Sequence, residues 1–121
     1  MKSLIIAFMI MLCAALYAPA AEATVAGKEA VHRYFGSNRR ASCIAHRESR
    51  FKPWVISSTD DWGLFQFNRP TWSGKLVSYH GVSVRINYKY MLRPMYNAKV
   101  AWIITKGGTY WGPWAPDLRY C

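Results

Sequence analysis

The stretch Cys43-Ile44-Ala45-His46-Arg47-Glu48-Ser49-Arg50-Phe51-Lys52-Pro53, followed one loop later by Asp61-Trp62-Gly63-Leu64-Phe65-Gln66-Phe67-Asn68-Arg69-Pro70-Thr71-Trp72, decides how the chain is read. Its first half predicts a helix. Ser42 caps that helix or lies just inside it, Ile44, Ala45 and Phe51 share a side, and Pro53, which has no N–H to give, prevents continuation beyond Phe51. Glu48 falls near the helix end, where its side chain can emerge into a cleft. Taken locally, it can equally form an ion pair with Arg47, Arg50 or Lys52 on a solvated face. The second half leaves an irregular segment, Trp54 to Asp61, for a short apolar run, and Pro70 is placed to open a further helix toward His80 that Gly81 closes.

Working outward, Val25 to Phe35 sets Ala30, Val31, Tyr34 and Phe35 on one side at helical spacing, and Gly36-Ser37-Asn38 stops it. Downstream, Val82, Val84, Ile86, Tyr88 and Tyr90 alternate with polar residues, the period of a half-buried strand. Pro94 starts a helix in which Ala98, Ala101, Trp102 and Thr105 share a side, ended by Gly107-Gly108. Tyr110-Trp111-Gly112-Pro113-Trp114 reads as an aromatic loop. There is no repeat and no Ser/Gly linker, so the prediction is one compact, mainly α domain with at most a small β element.

The amino terminus resembles an export signal. Lys2 precedes an unbroken apolar run from Leu4 to Tyr17, and small residues at 20–23 suit cleavage. The run is shorter than the roughly 20 apolar residues of a bilayer span, so a cleaved signal over residues 1–23 is favoured over a retained anchor. Residues 24–121 then form a single domain, exported to the periplasm or secreted, with no stable membrane span. Cys43 and Cys121 are the two cysteines left, and in an oxidising compartment they are expected to pair. The histidines His32, His46 and His80 show no zinc-ligand spacing, and no metal or cofactor is implied. A net charge of +10 calls for an anionic partner. Cell-wall polymers fit an exported protein better than nucleic acid does.

The two motifs together resemble the lysozyme-like superfamily, nearest the soluble lytic transglycosylases and related phage lysins. There a helix ends in Glu-Ser followed by an aromatic residue and proline, and Gly-Leu-Met-Gln follows with a Pro-x-Thr-like continuation. Phe65 stands here for the methionine, and Pro94-Met95-Tyr96-Asn97 is similar to the family's Pro-x-x-Asn. The resemblance spans Ile44 to Trp114. It implies a lysozyme-like α+β fold with a cleft between helical lobes, and a monomeric enzyme that cleaves the β-1,4 bond between N-acetylmuramic acid and N-acetylglucosamine in peptidoglycan.

Carried over by position, Glu48 becomes the general acid, Ser49 its orienting hydrogen-bond partner, and Gly63 and Gln66 the floor and wall of the cleft. Such an acid must keep its proton near neutral pH, which burial achieves. The Tyr-Asn motif that many lytic transglycosylases carry is not evident, so Tyr110, Trp111 or Trp114 is expected on that wall, with Trp62 also at the cleft and Trp102 in the core. Ser58-Thr59-Asp60-Asp61-Trp62-Gly63 also resembles the Ser-Thr-Asp-Tyr-Gly of animal-type lysozymes, where the aspartate is the second catalytic carboxylate. Asp61 is therefore either catalytic or a loop cap, and the reaction either hydrolysis or transglycosylation. A non-catalytic alternative is a cationic protein that binds wall glycan or disrupts anionic surfaces.

Overall fold

The computed structural model describes residues 19–121, so the expected signal segment lies outside the described residues up to residue 18. Helix α1 (Pro19–Phe35) begins before the predicted Val25 and runs through the expected cleavage positions. Helix α2 (Arg39–Ser49) starts ahead of Ser42 because Asn38 is the cap, its side chain accepting from Ala41 N–H at 3.1 Å. It also stops before Pro53 is reached. Arg50 and Phe51 both take positive φ, 54° and 60°, and Arg50 N–H closes the last turn on His46 O at 2.8 Å.

Strands β1 (Asp61–Trp62) and β2 (Phe67–Asn68) pair antiparallel around the loop 63–66, with Asp61 opposite Asn68. The helix predicted from Pro70 to His80 is a correction. Only the turn α3 (Arg69–Trp72) forms, and the chain then enters a hairpin of β3 (Leu76–Tyr79) and β4 (Val82–Arg85). Leu76-Val77-Ser78-Tyr79 alternates exposed and half-buried residues, and His80 and Gly81 both take positive φ, as a two-residue hairpin turn demands. The strand predicted over Val82 to Tyr90 accordingly ends at Arg85. Asn87 then caps a 3-10 turn (Tyr88–Tyr90), accepting from Lys89 N–H.

Helix α4 (Pro94–Ile104) opens on its proline as expected, and the predicted aromatic loop is instead a kinked 3-10 segment (Gly112–Arg119). Helix α1 packs on α4 and α2, the β3–β4 hairpin lies against α4, and the 3-10 segment returns to α2. The core joins Val31 and Phe35 of α1, Ile44 of α2, Phe65, Phe67 and Met91 from the connections, Val100 of α4, and the rings of Trp111 and Trp114. The fold is mainly α with two small antiparallel sheets, as the sequence predicts. Among the described residues no helix is long and apolar enough to cross a membrane.

Candidate active site

The two sequence motifs meet through two buried polar side chains and a glycine. Ser49 is buried and donates its hydroxyl to Leu64 O at 2.8 Å, with Ala45 O at 3.1 Å. It therefore joins the end of α2 to the second motif, where it was expected to hold Glu48 directly. Gly63 has φ +78°, and a Cβ there would lie 2.4 Å from Asn97 Nδ2 and 2.7 Å from Met91 O. The close approach it permits is by Asn97 rather than by a ligand. Asn97, fully buried on α4, accepts from Phe65 N–H at 3.0 Å and donates to Trp62 O and Met91 O at 3.1 and 3.0 Å. The Pro94-Met95-Tyr96-Asn97 motif thus supplies the residue that locks the loop, with both amide hydrogens used.

A cavity of about 530 Å³ opens between the β1–β2 unit and the chain around residues 110–114. Asp61, Gln66, Asn68, Trp72, Tyr110 and Trp114 are among its lining residues. Gln66 has φ +53° and its amide donates to Val55 O and Gly63 O, which fixes it as a wall. Tyr110 is exposed, while Trp114 is largely buried and donates from Nε1 to Phe65 O at 2.8 Å. Trp111 belongs to the core: it is 3% exposed, packs on Phe35 and Phe65, and does not line the cavity. Trp62 is half-buried, edge-on to Tyr88, with its N–H taken by Asp60, and it too lies outside the lining. Trp102, expected in the core, is only half-buried and meets the Tyr79 ring at the hairpin. A loop position does not tell whether a ring turns into the core or the cleft, and helical spacing does not separate the centre of a core from its edge, which accounts for these three placements.

Two carboxyls are driven in opposite directions. Asp61 Oδ2 accepts from Ser57 Oγ at 2.8 Å and from Thr59 Oγ1, and Oδ1 accepts from Asn68 Nδ2 at 3.0 Å. Partial burial pushes this carboxyl up, but the bonds from Thr59, Ser57 and Asn68 outweigh it and hold Asp61 below the usual aspartate range. Glu48, half-buried at the end of α2, is pushed up to about 8. Burial is the chief cause, then a hydrogen bond and the charge of Asp117, then the charge of Asp61, with Arg47 opposing. Glu48 does not itself line the cavity.

Asp117 lies in no motif of the sequence. It is buried, and its Oδ1 accepts from Arg47 Nε at 3.0 Å. The available clue was its place four positions before Cys121, which the expected bridge would carry back to α2. Asp60 is structural, receiving Trp62 Nε1 at 2.6 Å and Arg69 Nε at 3.0 Å.

A small α-helical domain with a raised glutamate at a helix end, and a depressed aspartate in an adjoining cleft, has the makeup of the lysozyme-like class. Comparison with protein families matches residues 26–106 to the family described as Transglycosylase SLT domain, and the chain belongs to it. No curated protein and no solved structure gives a significant match. The match starts earlier than Ile44 and ends before Trp114, so it leaves the 3-10 segment outside.

Proposed function

We propose that the protein cleaves the β-1,4 bond between N-acetylmuramic acid and N-acetylglucosamine in peptidoglycan, with Glu48 as general acid. The observation that carries this is the pair of carboxyls pushed apart, Glu48 up to about 8 and Asp61 down, in a domain of the transglycosylase family. Glu48 delivers its proton to the glycosidic oxygen as the bond to C1 breaks, and the bonding pair leaves with that oxygen. Positive charge develops at the sugar, and the ionised Asp61 stabilises it. Family membership favours capture of C1 by one of the sugar's own hydroxyls, whose proton returns to Glu48 and leaves an anhydro end. The ionised Asp61 in the cleft favours a second reading, in which water attacks and hydrolysis results.

Gln66, Tyr110 and Trp114 serve as substrate walls, Tyr110 and Trp114 offering rings to the sugars. The site acts outside the cytoplasmic membrane, delivered by a signal over residues 1–23, and the disulfide suits such a compartment. Net positive charge then favours adsorption to anionic wall polymers. The test is to incubate the mature protein and Glu48→Gln with peptidoglycan and to identify the sugar ends released. Glu48→Gln is expected to lose roughly 10²–10⁴-fold in rate. Equal activity in both proteins would remove Glu48 from the reaction, whereas no released ends from either would leave the glycan-binding alternative. Anhydro ends identify a transglycosylase and free reducing ends a hydrolase, and Asp61→Asn impairs chiefly the latter.

A further inference from the structure

Helices α1 and α4 pack side by side, and along their seam run two adjoining cavities of about 440 and 390 Å³ that share Arg33. From α4 come Met95, Lys99 and Trp102, which helical spacing puts on one face. From α1 come Lys28 and, one turn on, His32 and Arg33. None of these residues lines the cleft of Asp61 and Gln66.

The groove holds three cations without counter-ions. Lys28 and Arg33 are exposed and Lys99 is half-buried, and none forms an ion pair among the described residues, where the pairs are Arg47–Asp117 and Arg69–Asp60. Glu29 is the one acidic residue in the lining. Like charges gathered along a wall of low dielectric raise a positive potential there and draw an anion. Lys99 matters most, because a partly desolvated ammonium without a partner carries a cost that an anion from outside would offset.

Between the charges the walls are apolar. Met95 is exposed, and Val82 and Trp102 are half-buried. The Trp102 indole N–H has no acceptor among the described residues, whereas those of Trp62, Trp111 and Trp114 are all bonded. A phosphodiester polymer or a lipid headgroup would use the cations and leave the ring and the thioether idle. A peptidoglycan strand uses both, since a sugar offers a C–H face to an aromatic ring and its stem peptides carry carboxylates beside alanine methyls.

We propose that the α1–α4 groove is a second peptidoglycan-binding site, in which Arg33 and Lys99 take carboxylates of the stem peptides and Trp102 takes a sugar face. The proposal rests on the reading of peptidoglycan as the substrate, and it gives the attraction of the positive chain for the wall a definite surface. Lys28 Nζ lies 5.7 Å from the Phe51 ring centre, so the groove ends beside the end of α2 that carries Glu48. A strand held there raises the effective concentration of scissile bonds at the cleft.

The test compares the purified protein with Arg33→Glu combined with Lys99→Glu, by cosedimentation with insoluble peptidoglycan and by release of sugar ends. The two side chains make no hydrogen bond or ion pair among the described residues, so the fold is expected to survive their reversal. Binding is expected to weaken about tenfold and to lose much of its salt dependence. Release of ends from the insoluble wall should slow, while a short soluble glycan that fills only the cleft is cut at the wild-type rate. Peptidoglycan with its carboxylates amidated should bind both proteins alike. Trp102→Ala should also weaken binding, but Trp102 braces Tyr79, so the charge reversal carries the test if that variant fails to fold. Equal binding of untreated peptidoglycan by the two proteins, or a difference that survives amidation, overturns the inference. So does tighter binding of phosphatidylglycerol vesicles or of DNA that the reversal abolishes, which would make the groove a phosphate site. Failure of either protein to release ends overturns the cleavage reading instead and leaves the difference in binding standing.

Discussion

Glu48 holds its proton in the folded protein up to about pH 8, whereas a glutamate in the unfolded chain releases it near 4.5. Between those values the native state binds the extra proton, so stability falls as pH rises, and the contribution of Glu48 is complete only below pH 4.5. Glu48→Gln removes this dependence. At pH 8 the variant is expected to be more stable than wild type by about 1–2 kcal/mol, a value discounted because the side chain is half exposed and screened. The advantage should vanish near pH 4.5, and urea midpoints at the two pH values check it. A constant difference would mean that Glu48 is not buried as an acid. Asp61 works in the opposite sense: its pKa is depressed, so its contribution is present above the ordinary aspartate range and lost as pH falls through the folded value. Asp61→Asn should therefore flatten the stability profile below the ordinary aspartate range and lower stability above it. Of these groups Glu48 and Asp61 were legible in the sequence, because only six carboxylates occur and each sits in a patterned motif. Asp117 was not, since its partner Arg47 lies 70 residues away.

Elements with their own caps and periodicity were the legible part of the fold. Helices α1, α2 and α4 follow from apolar spacing and from Pro94, and only their ends moved, through Asn38 and the positive φ of Arg50 and Phe51. The β3–β4 hairpin was missed because Leu76-Val77-Ser78-Tyr79 is too short to display its period, and Gly81 reads equally as a helix stop or a hairpin turn. What the motif spacing could not reveal is how the elements are locked, and here Gly63 and Asn97 make a sharp prediction. Gly63→Ala forces a Cβ against Asn97 Nδ2 and Met91 O in a left-handed conformation that alanine resists, with no flexible group to yield. Asn97→Leu strands the Phe65 N–H and the carbonyls of Trp62 and Met91 without partners in a closed core. Each is expected to cost about 3 kcal/mol or more, from the clash in one case and the unpaired groups in the other. Chemical denaturation measures both, and a loss under about 1 kcal/mol in either would show that the loop is not held in this way.

At the scale of the molecule, the chain from Cys43 to Cys121 is a closed loop. Cys43 and Cys121 are 78 positions apart in sequence and covalently joined, with Cα atoms 5.7 Å apart. The sequence exposed this pairing once Cys13 was read as part of the expected signal, since the two cysteines left in a small domain have each other as natural partners. It did not expose what the bridge delivers to the site: the 3-10 segment whose Trp114 walls the cleft and whose Asp117, paired with Arg47, pushes Glu48 up through its charge. Stability and acid strength are therefore predicted to change together when the bond is cut. By the chain-entropy argument, opening a loop of this length costs about 4 kcal/mol, a large share of what a domain this small possesses. In the fraction that remains folded, the segment keeps its Trp114 anchor and the Arg47 and Arg40 contacts but is held less firmly, so the charge of Asp117 acts less on Glu48. Reduction in mild conditions should lower the thermal midpoint and also draw the alkaline limb of activity to lower pH, as should Cys43→Ser with Cys121→Ser. A lower midpoint with an unmoved limb would mean that the bridge supports the fold alone and that the tail holds its place at the acid without it.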